Sequence, residues 1–442
     1  MVPRRLSRQH PHRRELDRFL PERPAYLNGH DGHTAWVNSA ALAKAGITRE
    51  TPDPPHGLIE RDETGEPTGV LIEDAATLVA ELLPEPSVAE LRSGMLAAQR
   101  YLHSLGITAW QDAIVGDYLG MPDPFDTYLA LEADGLLTAR VRGALWWSVD
   151  RGLDQLPDLL ARRAATVGGR FHAGTVKIMQ DGICENCTGA MLTPYLGPGG
   201  TPSGGTGLSF LEPAELAEIT TALDAHGFQV HFHGVGDRAV RECLDAVEAA
   251  RAANGDNDLR HQIAHLDVVD PADRPRFASL GVIANLQPLW ARRDSEIEAT
   301  KLPLLGASRE PHHFPFGSLA GAGARLAMGS DWPVTSPDPL WALHTATHRT
   351  APRDDPHAGE RARTVPLLPE QRLDADLALA AYTSGAAFAN HLDAETGRIA
   401  VGMLADLVVV DQDLTDPDKF EHARVRLTLV DGSVVHDATG QV

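Results

Sequence analysis

Two kinds of apolar run alternate along the chain. One has the three-to-four-residue spacing of an amphipathic helix. The other is a short unbroken block, closed by Gly, Asp or Pro, of the length of a buried strand. "SVAELRSGMLAAQRYLHSL" precedes "GITAWQDA" (106–113), and "DTYLALEADGLL" precedes "ARVRGALWW" (139–147). "LPDLLARRAATVGG" leads into "GTVKIMQDG" (174–182), and "PAELAEITTALDAH" into "GFQVHFHGVGD" (227–237). "RHQIAHLDVV" (260–269), "GVIANLQPLW" (281–290) and "ARLAMGSDWPV" (324–334) complete seven helix-then-strand units. Strands alternating with helices predict an α/β fold on a parallel sheet. Seven is one short of the eight that close a (β/α)8 barrel.

Two stretches break the alternation. Residues 26–75 read as an inserted subdomain of short strands and turns, and the tail beyond "GRIAVGMLADLVVVD" has β alternation with D-G turns. A long Gly/Pro-rich loop spans 183–212, directly after a strand end. Loops of that length are usually functional or disordered.

Composition narrows the class. Hydrophobic residues make up 43% of the 442 and charged residues 23%, as in ordinary globular proteins. The net charge of −22 (39 basic against 61 acidic residues) argues against nucleic acid as a partner. No apolar run reaches the length of a membrane span, and the Arg-rich start has no apolar core of a secretory signal. Three cysteines form no disulfide framework, so a cytoplasmic location is expected. The C-x-x-C pair Cys184 and Cys187 reads as loop packing.

The strand ends carry the chemistry. In order they offer Lys177 and Asp181, then His233, then His265, then Asp331. Barrel enzymes build their sites from such ends. Imidazoles suit a divalent metal, and a lysine becomes an anionic ligand only as its carbamate. An aspartate beside the metal can take a proton from the attacking water and return it to a leaving amine. A carboxylate ending a buried apolar strand, as Asp331 does in "GSDWP", is costly unless paired or liganded. His231 and His233 lie two apart on one strand face. That stretch alone leaves open a ligand pair, a ligand with a bystander, or two core histidines.

These stretches, with "DGHTAWVNSAAL", "GVLIED", "PFGSLAGAGARLAMGSDWPV" and "LAAYTSGAAFA…GRIAVGMLADLVVVD", resemble the metal-dependent amidohydrolase superfamily from about residue 22 onward. The likeness is greatest to its amidohydrolase-3 branch, which includes N-substituted formamide deformylases. The resemblance implies a (β/α)8 TIM-type barrel and a small β-sandwich built from both chain ends. It implies metal ligands at Lys177, His233, His265 and Asp331, with Asp331 and His265 catalytic. His231, roughly 6.6 Å deeper along the strand, is then a packed bystander. His33, Trp36, Asp181, Gln287 and Trp290 are expected to meet the substrate, a small-molecule amide.

The family's own His-x-His on a first barrel strand has no counterpart. His10 and His12 have the spacing but lie among Pro and Arg, with no apolar strand to carry them. The chain is therefore expected to lack the first strand, two ligands and half of the sandwich. The expected layout is an irregular segment over 1–21, the inserted subdomain over 22–80, the barrel over 81–393 and sandwich strands over 394–442. The expected function is hydrolysis of a non-peptide C–N bond using a divalent metal, zinc first, bound weakly or not at all by this chain. The alternative is an inactive barrel that only binds. No membrane partner is expected, and self-association into a homo-oligomer is compatible.

Overall fold

The computed structural model describes residues 11–440. His10 lies outside them. His12 does not join a site: its Nδ1 accepts the Arg14 N–H at 3.2 Å and caps a short helix, Arg13–Asp17, within the segment expected to be irregular.

The first sheet is four-stranded and antiparallel. It comprises β1 (Tyr26–Asn28), β2 (Thr34–Val37), β3 (Gly57–Arg61) and β4 (Pro67–Glu73), in the order β1-β2-β4-β3. β2 alternates: Ala35 and Val37 are buried in a small core with Leu42, Ile59 and Leu71, while Thr34 and Trp36 point the other way.

The second sheet is parallel, runs β5 to β11 in strict chain order, and curls into a half-barrel. Its strands are β5 (Ala109–Val115), β6 (Arg140–Trp146), β7 (Phe171–Met179), β8 (Gln229–Gly234), β9 (Gln262–His265), β10 (Ile283–Leu286) and β11 (Arg325–Met328). All seven predicted blocks are present. The late ones are shorter than the apolar runs: "RHQIAHLDVV" gives only Gln262–His265, because His265 and Leu266 turn into left-handed backbone (φ 79° and 55°). Among the described residues, β5 and β11 each pair on one side only.

Helices on the outer face bury the branched and aromatic residues of these strands. Phe171, Val176, Ile178, Val230, Phe232 and Ile263 belong to one continuous core with Leu216, Leu223, Val240 and Leu244 of the helices. Each such side chain contributes about 1.5–3 kcal/mol on burial. The helix Val88–Ser104 starts at a reciprocal capping box between Ser87 and Glu90. The tail forms a third sheet, antiparallel, of β12 (Leu407–Val410), β13 (Val425–Val430) and β14 (Ser433–Asp437). Arg140 at the start of β6 ties it to the parallel sheet, pairing with Asp406 at 2.9 Å and also with Asp431. No described helix is long and apolar enough to cross a membrane.

A candidate metal centre at the strand ends

Strand register sets the depth of each group. Lys177 pairs with His231, Met179 with His233, and Gly234 with His265. His233 and His265 therefore end neighbouring strands at one level. Their ring centroids are 4.4 Å apart.

His233 is held from below. Its Nδ1 lies 3.0 Å from Asp181 Oδ1, and Asp181 also accepts the backbone N–H groups of Val235 (3.0 Å), Ala190 (2.9 Å) and Gly236 (2.8 Å). Three backbone N–H donors favour an ionised Asp181 against the burial that pushes its carboxyl up to about 8, and beside the ionised form His233 carries its proton on Nδ1 and keeps Nε2 as a lone pair. Burial holds the His233 imidazole neutral, well below the usual range, helped by the neighbouring His265, His33 and Lys177. Asp181 itself has no exposed surface and offers no face to a substrate. In this structure its place is behind the His233 ring, which it anchors.

His265 stacks on Trp290, with centroids 5.1 Å apart and planes 4° apart. Its backbone N–H donates to Gln287 Oε1 at 2.9 Å. Gln287 thus supports the turn, and its Nε2 donates to Asn285 Oδ1. The His265 Nδ1 is buried without a partner. The left-handed conformations of His265 and Asp331 (φ 55°) are each costly, and such strain collects at working sites.

Lys177 is buried and makes no ion pair among the described residues. Burial pushes its ammonium down to about 8, against the pull of Asp331. Asp331 stands at the solvent-reached mouth after β11. Surrounding protein pushes its carboxyl up, opposed by Lys177 and His33.

The first sheet adds a group from the other side. The His33 ring lies 5.2 Å from that of His233, and its Nδ1 bonds Glu73 at 2.9 and 3.1 Å. Burial alone would lower His33; the Glu73 carboxylate reverses this and raises it to about 9. Thr188 Oγ1 in the long loop donates to Glu73 at 2.9 Å, so Glu73 joins subdomain and loop. Glu73 closes β4 in "GVLIED" and was not among the expected site residues. The signal was the one used for Asp331, a carboxylate closing an apolar run. Trp36 makes no ring contact with the imidazoles among the described residues, and its indole N–H is buried unpartnered. His231 lies deeper, with Nδ1 2.6 Å from Gln111 Oε1. Cys184 and Cys187 pack with Met191 and Tyr195.

A family model described as "Amidohydrolase family" matches residues 5–436. The chain belongs to the amidohydrolase family. The chain is 34% identical over 429 residues to Protein LONG AFTER FAR-RED 3 of Arabidopsis thaliana, covering 95% of this chain and 70% of the relative. It is 29% identical over 462 residues to the N-substituted formamide deformylase of Arthrobacter pascens, covering 98% and 77%. The crystal structure of an uncharacterized metal-dependent hydrolase from Pyrococcus horikoshii OT3 superposes with a TM-score of 0.69 at 23% identity, over 92% of this chain and 74% of that one. That likeness is one of fold.

Amidohydrolase-family members are hydrolases that work with a divalent metal, and this chain's donors fit such an ion in kind. Two imidazoles meet at one level, His265 presents a buried nitrogen with no partner, and the charge of Asp331 reaches Lys177 and His33. They fall short in number. Among the described residues, no three His, Cys, Asp or Glu side chains form a ready-made shell.

Proposed function

We propose that this amidohydrolase-family chain hydrolyses the C–N bond of a small non-peptide amide, with N-substituted formamides as the substrate class. The observation that carries this reading is the His233–His265 pair, with Asp181 fixing the His233 tautomer and Asp331 at the open mouth. The named activity of the Arthrobacter relative supports the substrate class.

His233 and His265 would supply two ligands to the divalent ion, zinc being the first to test, with Asp331 at the mouth as the acid–base group. The ion supplies Lewis acidity to the reaction. Asp331 accepts a proton from the attacking water and delivers it to the departing amine nitrogen as the C–N bond breaks. His33, kept charged by Glu73, donates to the oxygen on which negative charge develops. Trp290 holds the His265 ring flat and walls one side. Lys177, with its amine near 8, has an accessible neutral form that can add to CO2, giving a carbamate and releasing one proton; this would supply a further anionic ligand.

The incomplete donor set favours a second reading, in which the chain binds metal weakly and acts as a binding barrel. Amine and formate release from an N-substituted formamide, followed with and without added zinc, separates the two. Turnover that needs zinc supports the hydrolase; saturable amide binding with no turnover supports the scaffold.

A further inference from the structure

The opposite end of the parallel sheet has a chemistry that the hydrolase reading does not use. A cavity of about 350 Å³ opens there, lined by Arg142, Arg163, His172, Gly227, Gln229 and Asn390, among others. Arg142 is the third residue of β6, His172 the second of β7, and Gln229 the first of β8. His233 comes from the other end of β8 and His265 from the matching end of the neighbouring β9, so the two sites are separate.

Two guanidiniums face this cavity without an ion pair among the described residues. Among the described residues several buried or half-buried arginines have one, Arg140 with Asp406, Arg292 with Asp294 and Arg260 with Asp393, whereas Arg309 and Arg349 are held by backbone carbonyls. Arg163 has neither an ion pair nor a hydrogen bond from its guanidinium among the described residues; its Cζ rests 4.0 Å above the Phe228 ring. Arg142 makes no ion pair either. Its Nε donates to the Asn390 carbonyl at 3.1 Å, and its Nη1 reaches the Val141 and Arg170 carbonyls at 3.4 and 3.5 Å. Those bonds aim the guanidinium and leave Nη2 open. Burial lowers both arginines from their ordinary range, with Glu395 the acid whose charge reaches Arg142. Desolvated charges without partners are expensive, and here two of them line one cavity.

The third wall is a hydrogen-bond acceptor. His172 Nδ1 contacts the Thr166 carbonyl at 3.3 Å, which places the proton there and leaves Nε2 as a lone pair. A Cβ on Gly174 would come within 2.8 Å of that Nε2, so glycine keeps the edge of the ring clear. Two cationic donors and one neutral acceptor match an oxyanion that still carries one hydroxyl.

We propose that the N-terminal end of the sheet is a binding site for a small oxyanion of the hydrogen-phosphate type, held between Arg142 and Arg163 with its hydroxyl donated to His172. Guanidiniums suit this ligand because their paired N–H groups match two oxygens of one anion.

Calorimetry and thermal melting with inorganic phosphate test it, with succinate as the carboxylate arm and sodium chloride at matched ionic strength as the control. Wild type should give a saturable heat with phosphate. Its melting temperature should rise on the order of 4 °C at a hundredfold excess over Kd. Asp331→Asn should keep this response, and the pair Arg142→Met with Arg163→Met should lose it. Should the double Met variant not fold, the double Lys variant keeps the charge and should bind phosphate at least about tenfold more weakly. No saturable heat with phosphate, an equal shift with chloride, tighter binding of succinate than of phosphate, or unchanged phosphate binding in the arginine variants would each overturn the proposal.

Discussion

His33 Nδ1 lies 2.9 Å from Glu73 Oε2, a bond within the antiparallel subdomain that holds the His33 ring 5.2 Å from the ring of His233 at the end of the parallel sheet. The two residues are neighbours across the end of a sheet, where the Glu73 N–H also donates to the His33 carbonyl at 2.8 Å. Thr188 completes the link from the long loop.

Glu73→Gln removes the charge that holds His33 as a cation but keeps the shape. We expect kcat to fall about 10²–10³-fold, the usual cost of losing one donor to a developing oxyanion, with KM little changed. Steady-state kinetics on an N-substituted formamide, beside circular dichroism of the variant, decide it. A change confined to KM would show that Glu73 only shapes the pocket.

Asp181→Asn places an amide N–H2 among the Ala190 and Gly236 N–H donors that Asp181 now accepts. His233 then loses its anchor. Metal affinity should drop about 10–100-fold, as is typical when the partner behind a ligating imidazole is removed. Competition against a chelating dye measures it, and an unchanged affinity would remove His233 from the ligand set.

His231→Asn should retain most activity. The shorter amide still reaches toward Gln111, and His231 pairs with Lys177 one step below the level of His233. A loss as large as that of Asp331→Asn would make the deeper histidine part of the centre.

A structural prediction concerns β8, which carries His233. The Val230 N–H donates to His261 Nδ1 at 3.0 Å, and His261 Nε2 donates to Asp224 at 2.9 Å. Burial opposes ionisation of Asp224, but His261, Asn254 and Asn257 more than offset it and hold the carboxyl below 3.8. A depressed carboxyl stabilises the fold above that value, and the contribution is lost as pH falls through the lower folded value. Asp224→Ala should cost about 2–3 kcal/mol at neutral pH and flatten the acid limb of stability below 3.8. Urea unfolding at several pH values checks both, and an unaltered acid limb would assign the acid sensitivity elsewhere.

Much of this was legible in the chain. The parallel sheet showed itself because its strands are mostly apolar blocks that alternate with amphipathic helices, and the central ones, β7 to β9, are buried on both faces. His233, His265 and Asp331 stood out because they end such runs, where a polar group needs a reason. Asp181 stood out on the same ground, yet its role did not. Its partners Ala190, Val235 and Gly236 are backbone groups of two other segments, invisible to side-chain pattern. Glu73 was hidden for a related reason: it lies 40 residues from His33 and 115 from Thr188 in sequence. The arginine pair at the far end was hidden too. An arginine at a strand start or on a helix reads as surface, and only the fold shows that Arg142 and Arg163 line one cavity without an ion pair.

The most direct test of the central claim is kcat for an N-substituted formamide as zinc is titrated into wild type and Asp331→Asn. The account predicts turnover that rises saturably with zinc in wild type and falls about 10²–10⁴-fold in Asp331→Asn, with the fold unchanged by circular dichroism. Zinc-independent turnover, or equal rates in the two proteins, would contradict it.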